Sequence, residues 1–461
     1  MTQRLGVATG PGPVISYVDE AFFLGSRTGQ ESIIQTVWVY DRPPDLEAIR
    51  AFHRGLGRQR ISRLVERSPL PFGRSRWAAA PLAPLDVTVA PRPPEDLPSW
   101  IDEQVRLPLD PEHGPPWRLG VAPFTDGRTA VSLVVSHCAG DGGSIVDAIG
   151  RAATGRDATD DDSTPGYPPP RSRRRLQAIG DDLRQVLADL WPIVRAAVKV
   201  VQVLGASLRA RRRAPGTVGS RTKVTQPAPG DDALVLVPSV TAFIDPVHWD
   251  ERAAAFDGAG RSLLAALAAQ LGERFGRVRD GRVLLLVPVE DRAADRDQAA
   301  NAVDLARVVI DVADIGDLPA IRDAIREGIA AARERPDPTQ ALWPLVPFVP
   351  VRGATSLMGE AVDFVGEPAV TLSYMGDLSE DVLRIDGTPA SRFQVRGGTR
   401  TPTRATLARR GGGLTVLPYT VGGTLVVNVI GYQPDRVTTR SQLRALVADA
   451  LDALSVAAVI E

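Results

Sequence analysis

The chain has 461 residues, 44% hydrophobic and 24% charged, a balance that buries a sizeable core and leaves room for more than one domain. Fifty-four basic residues against 55 acidic ones leave a formal charge of −1, so no global positive field steers it toward nucleic acid. A lone cysteine, Cys138, excludes an intrachain disulfide framework and a multi-cysteine metal site, and a count of four histidines argues against a histidine-rich metal cage.

Met1 to Pro13 has no basic stretch followed by an apolar one, so no secretory peptide is read there. Ile33–Tyr40 is β-branched and strand-like, and Leu46–Gly57 is helical, with Pro43, Pro44 and Asp45 at its start. Ala130–Ser136 is a short apolar run suited to a buried strand, and Ser144–Ala153 follows as a helix with a start signal in Ser144. Two stretches rich in Pro, Gly and charge, Gly155–Arg175 and Arg209–Asp232, read as exposed linkers. Between them, Leu176–Leu208 has a helical pattern with one polar stripe through Asp182, Gln185, Asp189, Arg195, Lys199 and Gln202; Pro192 should bend or restart it.

Asp189, Arg195, Lys199 and Gln202 also interrupt the most hydrophobic stretch, so it should not span a bilayer, and a soluble, cytoplasmic protein is expected. Beyond the linkers, Leu234–Val237 and Val283–Val289 read as strands around the helix Arg261–Arg274. The helix Leu318–Arg333, the strand Ala369–Tyr374, a meander through Leu414–Leu417 and Leu425–Val429, and a closing helix Arg440–Leu454 complete the pattern. The expected organisation is mixed α/β: an N-terminal unit 1–154, a linker and helix 155–231, and a C-terminal unit 232–461.

The segment richest in chemistry is Ser136-His137-Cys138-Ala139-Gly140-Asp141-Gly142-Gly143-Ser144. Three glycines in four positions disfavour a regular helix, so His137 and Asp141 belong to a tight loop between a strand's carboxyl end and a helix start. Such a loop presents a side chain on rigid supports, and histidine is the side chain best suited to take a proton near neutral pH. The carboxylate of Asp141 can fold back on the loop or pair with an arginine, and Gly142 lets the chain turn where a Cβ would clash. A purely structural histidine fits the bare pattern as well. Adjacent residues on an extended segment point to opposite sides, so Cys138 reads as a small buried apolar residue and not as a nucleophile paired with His137.

This segment resembles the HxxxDG motif of the chloramphenicol-acetyltransferase-like superfamily, which includes peptide condensation domains, polyketide-associated acyltransferases and wax ester synthase/diacylglycerol acyltransferases. Other stretches resemble that superfamily in the same order. They are Ser16–Phe23 with its D-x-x-F, Leu107–Asp110 followed by Gly114–Leu119, Pro288–Arg292 with Asn301 beyond it, Leu372–Gly376, and Tyr419–Val437. Ser136 stands where many members carry a second histidine, Tyr374 stands where an Asn is common, and Gly260–Leu264 lacks an Asn-Asp pair found in the wax ester enzymes.

The resemblance implies two similar subdomains in a V with a tunnel along their interface, joined by a crossover linker and the long helix. His137 would be the general base in that tunnel, Asp141 a structural support paired with an arginine, with Arg292 as candidate, and Gly142 a supporting residue of the loop. Gly142–Gly143 backbone N–H groups or the Ser373 hydroxyl would meet an oxyanion, and Asn301 is a further oxyanion or tunnel candidate. The implied reaction moves an acyl group from acyl-CoA or an acyl carrier protein to a hydroxyl or amine acceptor. It needs no covalent acyl-enzyme, no metal and no cofactor beyond the thioester co-substrate.

A wax ester synthase/diacylglycerol-acyltransferase-like member is favoured, the alternative being a catalytically silent scaffold that recruits a carrier protein. A monomer is expected, since the two-subdomain design builds its own tunnel, with a loose dimer as the alternative. The helix between the linkers is expected to lay its apolar face over the body; the other reading places 171–213 on a membrane surface, its arginine clusters on anionic lipid.

Overall fold

The computed structural model describes residues 12–156, 167–213, 233–290, 300–301, 303–334, 340–349 and 368–461. Two sheets organise it. The first is built on β1 (Ser32–Tyr40) and β6 (Thr129–Ser136), antiparallel with Thr36 opposite Leu133. Every residue of β6 is buried, which matches its near-continuous apolar run, because helices cover both faces of the strand. On one face lie α2 (Leu46–Leu56) and α4 (Gly142–Ala153), whose Ile49, Phe52, Ile145 and Ile149 join Trp38, Trp117 and Leu133 in one core. On the other lies α3 (Leu97–Arg106), with Trp100 and Ile101 against Val37 and Ala130.

The second sheet has seven strands and packs on α7 (Gly260–Arg274), which is buried on nearly all sides. Its central strands include β8 (Arg282–Glu290), β10 (Ala369–Leu372), β12 (Gly413–Val421) and β13 (Thr424–Tyr432). The two halves are not independent. β11 (Arg392–Thr399), from the C-terminal half, pairs antiparallel with β1 as the edge of the first sheet, so residues 1–154 do not form that unit alone. Arg396 of β11 reaches Asp102 of α3 at 3.0 Å, and Arg440 meets the same carboxylate at 2.8 Å. Tyr419 and Val426 of the second sheet enter the first sheet's core.

Several expectations change in detail. Leu234 makes only an isolated bridge to Thr403, and the strand forms instead at β7 (Ser239–Ile244). The linker segments 157–166 and 214–232 lie outside the described residues.

The crossover helix α5 (Arg175–Arg213) runs through Pro192 as one helix. Ala188, whose carbonyl loses its partner to the proline ring, is exposed, so water can meet it. The helix also faces the opposite way from expectation. Asp182 points into the body, where it accepts from Arg76 at 3.0 Å, Arg173 at 2.9 Å and Ser68 at 2.7 Å. Asp189 faces Arg74 at 3.5 Å, and Ala178 and Ala196 are buried beside them. The large apolar residues Leu183, Leu187, Leu190, Trp191, Val194 and Val198 are exposed. Buried arginines on the body outweighed the usual preference for an apolar contact, because each would otherwise be a charge without a partner. Among the described residues no helix is long and apolar enough to cross a membrane.

Candidate active site

β6 ends at Ser136, and the chain turns at His137–Ala139 before α4 begins. The backbone of His137 is fixed at both ends: its N–H donates to Ser32 O at 2.8 Å, and its carbonyl accepts from Asn301 Nδ2 at 3.1 Å. The imidazole is partly buried and stacks on Phe22 with ring centroids 4.5 Å apart and planes 6° from parallel. Nδ1 is buried without a hydrogen-bond partner. Desolvation pushes the imidazole below the usual histidine range, against the opposing charge of Asp141. A ring held this way is neutral at pH 7 and has a lone pair with which to take a proton.

Asp141 caps α4. Its Oδ1 accepts the Ser144 N–H at 2.8 Å and is also bonded to the Ser144 hydroxyl, while its own N–H donates to Ala300 O at 3.1 Å. The helix start therefore lies at Asp141 and not at Ser144, and Gly142 and Gly143 form its first turn. Their N–H groups have no acceptor within the helix. Gly142 serves a close approach and not a turn: a Cβ there would stand 3.1 Å from Met375 Cε. Arg292, the expected partner of Asp141, lies outside the described residues.

Ser373 follows β10 and is partly buried, with its N–H on Val416 O at 2.9 Å. It sits two residues before Met375, on the same strap that approaches Gly142. Asn301 has a different part from the one expected. Its Nδ2 donates to both Asp19 Oδ1 at 2.8 Å and His137 O, so neither N–H is left for an oxyanion. It ties the histidine loop to α1 and the second half through these contacts.

Sequence reasoning quoted Asp19 and Phe22 within the D-x-x-F segment but gave them no task. Both belong to α1 (Tyr17–Arg27), three residues apart and so on one face. Asp19 is fully buried and accepts from Ala300 N at 2.9 Å as well as from Asn301. Burial pushes its carboxyl up, and the nearby Arg63 guanidinium offsets part of that. Arg63, also buried, lies 3.9 Å over Trp77 and donates to Tyr167 Oη at 2.9 Å and Ala139 O at 3.3 Å. Cys138 is buried with its Sγ 3.9 Å from Asp19 O, and desolvation holds its thiol well above the usual range, which suits packing and not attack.

His113 is exposed on Asp110, and His53 is buried on Ala83 O, each in a structural setting. A cavity of about 180 Å³ opens along α1, lined by Glu20, Phe23, Arg27 and Ser75 and by Val346 and Val349. His137 is not one of its walls: Phe22 meets the ring while the next residue, Phe23, lines the cavity.

No family model and no curated protein sequence matches the chain. Solved structures do. The first condensation domain of the CDA synthetase is 15% identical over 98% of this chain and 99% of its own, with a TM-score of 0.55. Polyketide synthase associated protein 5 from Mycobacterium tuberculosis is 14% identical over 96% and 99%, with a TM-score of 0.53. The wax ester synthase/diacylglycerol acyltransferase from Marinobacter aquaeolei VT8 is 14% identical over 96% and 98%, with a TM-score of 0.51. The chain shares with these structures a two-subdomain fold that spans nearly its whole length.

Proposed function

We propose that this chain is an acyltransferase that moves an acyl group from a thioester to an acceptor hydroxyl or amine, with His137 as general base. The observation that carries the reading is the state of His137: a desolvated, neutral imidazole, locked through its backbone and stacked on Phe22, with Nδ1 unpartnered. A ring kept only for structure would be expected to have its nitrogens satisfied.

In the proposed step the acceptor's proton passes to the imidazole as its oxygen or nitrogen attacks the thioester carbonyl carbon. The tetrahedral oxyanion is met by the first-turn N–H groups of α4 at Gly142 and Gly143, or by the Ser373 hydroxyl. When the adduct collapses the C–S bond breaks, and the imidazolium returns its proton to the departing thiolate. No acyl-enzyme forms. An alcohol or diacylglycerol acceptor is favoured, supported by the fold shared with the wax ester synthase/diacylglycerol acyltransferase; the donor is an acyl-CoA or an acyl carrier protein.

The test is thiol release from a panel of acyl thioesters, with and without acceptors, by the full chain and by His137→Ala. Acceptor-dependent release that drops by at least a hundredfold in a folded His137→Ala variant supports the reading. Equal turnover by both proteins would overturn it, and a wild type inert to every pair would favour the scaffold alternative.

A further inference from the structure

We propose that the outward face of α5 is a docking surface for a lipid bilayer rich in anionic headgroups. The exposed residues Leu183, Leu187, Leu190, Trp191, Val194 and Val198 recur at steps of three and four, which aligns them in one stripe about 22 Å long. Trp191 is 68% exposed and Leu187 63%, although the same helix has a buried face available. That buried face is taken by Asp182 and Asp189 with their arginines, so the stripe cannot turn inward without stranding those charges.

Charge decides what covers it. The whole protein carries −1, yet residues 171–213 hold eleven basic side chains against three acidic ones; Asp182, Asp189 and Arg173 point inward and Asp181 pairs with Arg184 at 3.0 Å, which leaves the excess positive. Arg184 and Arg195 are exposed and, with Lys199, follow one border of the apolar stripe in helical projection; Arg209, Arg211, Arg212 and Arg213 close the helix. An apolar stripe bordered by cations, with a tryptophan whose ring suits the headgroup level, complements an anionic bilayer surface. The six side chains of the stripe are apolar, with the Trp191 indole N–H as a polar tip, so the stripe selects by hydrophobicity. α5 rests on the segment Gln340–Phe348, which also supplies Val346 to the cavity beside α1, so one segment contacts both the helix and the cavity.

Co-sedimentation of the full chain with phosphatidylglycerol or phosphatidylcholine vesicles tests this and reads binding alone, so it stands or falls separately from His137→Ala. Sedimentation with phosphatidylglycerol is expected, weakened by added salt, and at least tenfold lower for Leu187→Gln/Leu190→Gln/Trp191→Gln with an unchanged far-UV spectrum. A second variant, Arg195→Glu/Lys199→Glu, should lose binding in the same direction and guards against misfolding of the first. Absence of sedimentation by the wild type, equal sedimentation with phosphatidylcholine, or binding untouched by both variants would overturn the proposal. So would a dimer in sedimentation velocity that the triple variant dissolves, since the stripe would then cover a second copy.

Discussion

Asn301 donates to the backbone carbonyl of His137 at 3.1 Å across 164 residues of sequence, and the same amide nitrogen donates to Asp19 at 2.8 Å. Three distant segments thus converge behind one imidazole: α1 through Asp19, the histidine loop, and the start of the second half's Asn301 strap. The contact is to the backbone, so it sets where the loop sits and leaves the ring unengaged.

Replacing Asn301 by Leu should therefore lower turnover more than it raises KM, because the loop shifts while the binding surfaces remain. The buried Asp19 carboxylate and His137 carbonyl would each lose a donor, at a cost of about 1–3 kcal/mol apiece. Urea unfolding checks the stability loss, and steady-state kinetics check the split between kcat and KM.

The acid limb of the pH–rate profile should lie below ~6.5, the ordinary histidine value, since burial depresses the His137 pKa. The base is lost only when pH falls through that depressed value. The same sign governs stability: the unfolded chain takes up this proton first, so stability is lost as pH drops below the unfolded pKa. Phe22→Ala removes the stacked ring and admits water, and the limb should move up toward ~6.5.

Asp141→Ala should cost about 0.5–2 kcal/mol through loss of the α4 cap. Asp141→Ser offers a hydroxyl to the same N–H and should recover most of that stability in thermal unfolding. Recovery of turnover with it would identify capping as the residue's task.

Asp182 and Leu183 are neighbours in α5, the first buried and the second exposed. Asp182→Ala takes the shared carboxylate from Arg76 and Arg173, both nearly buried; Arg173 keeps Glu66 at 3.1 Å and Arg76 keeps Gly12 O at 2.9 Å, so about 1–3 kcal/mol of destabilisation is expected. Leu183→Gln, on the exposed face, should stay within about 0.5 kcal/mol. Paired urea melts measure both.

Much of the site was legible because it is local. The apolar run of β6, the glycines that follow and a helix-start signal all lie within a few residues, so strand, loop and helix could be read from Ala130 to Ala153, with the start placed at Ser144 where the structure caps it at Asp141. Gly142 was recognised as necessary for the wrong reason: it faces Met375 from the other half, a contact no local pattern encodes.

The sequence by itself determined the unit that presents His137, because propensity, glycine geometry and helix capping act over a handful of residues. It also established that α5 has two unlike faces. Only the tertiary structure decided which face turns inward, which strand closes the first sheet and what holds the His137 carbonyl. Those choices depend on partners brought from far along the chain, Arg76 and Arg74 for α5, β11 for β1 and Asn301 for the loop. A periodic pattern records that a side chain is polar, not whether a distant opposite charge will be there to bury it.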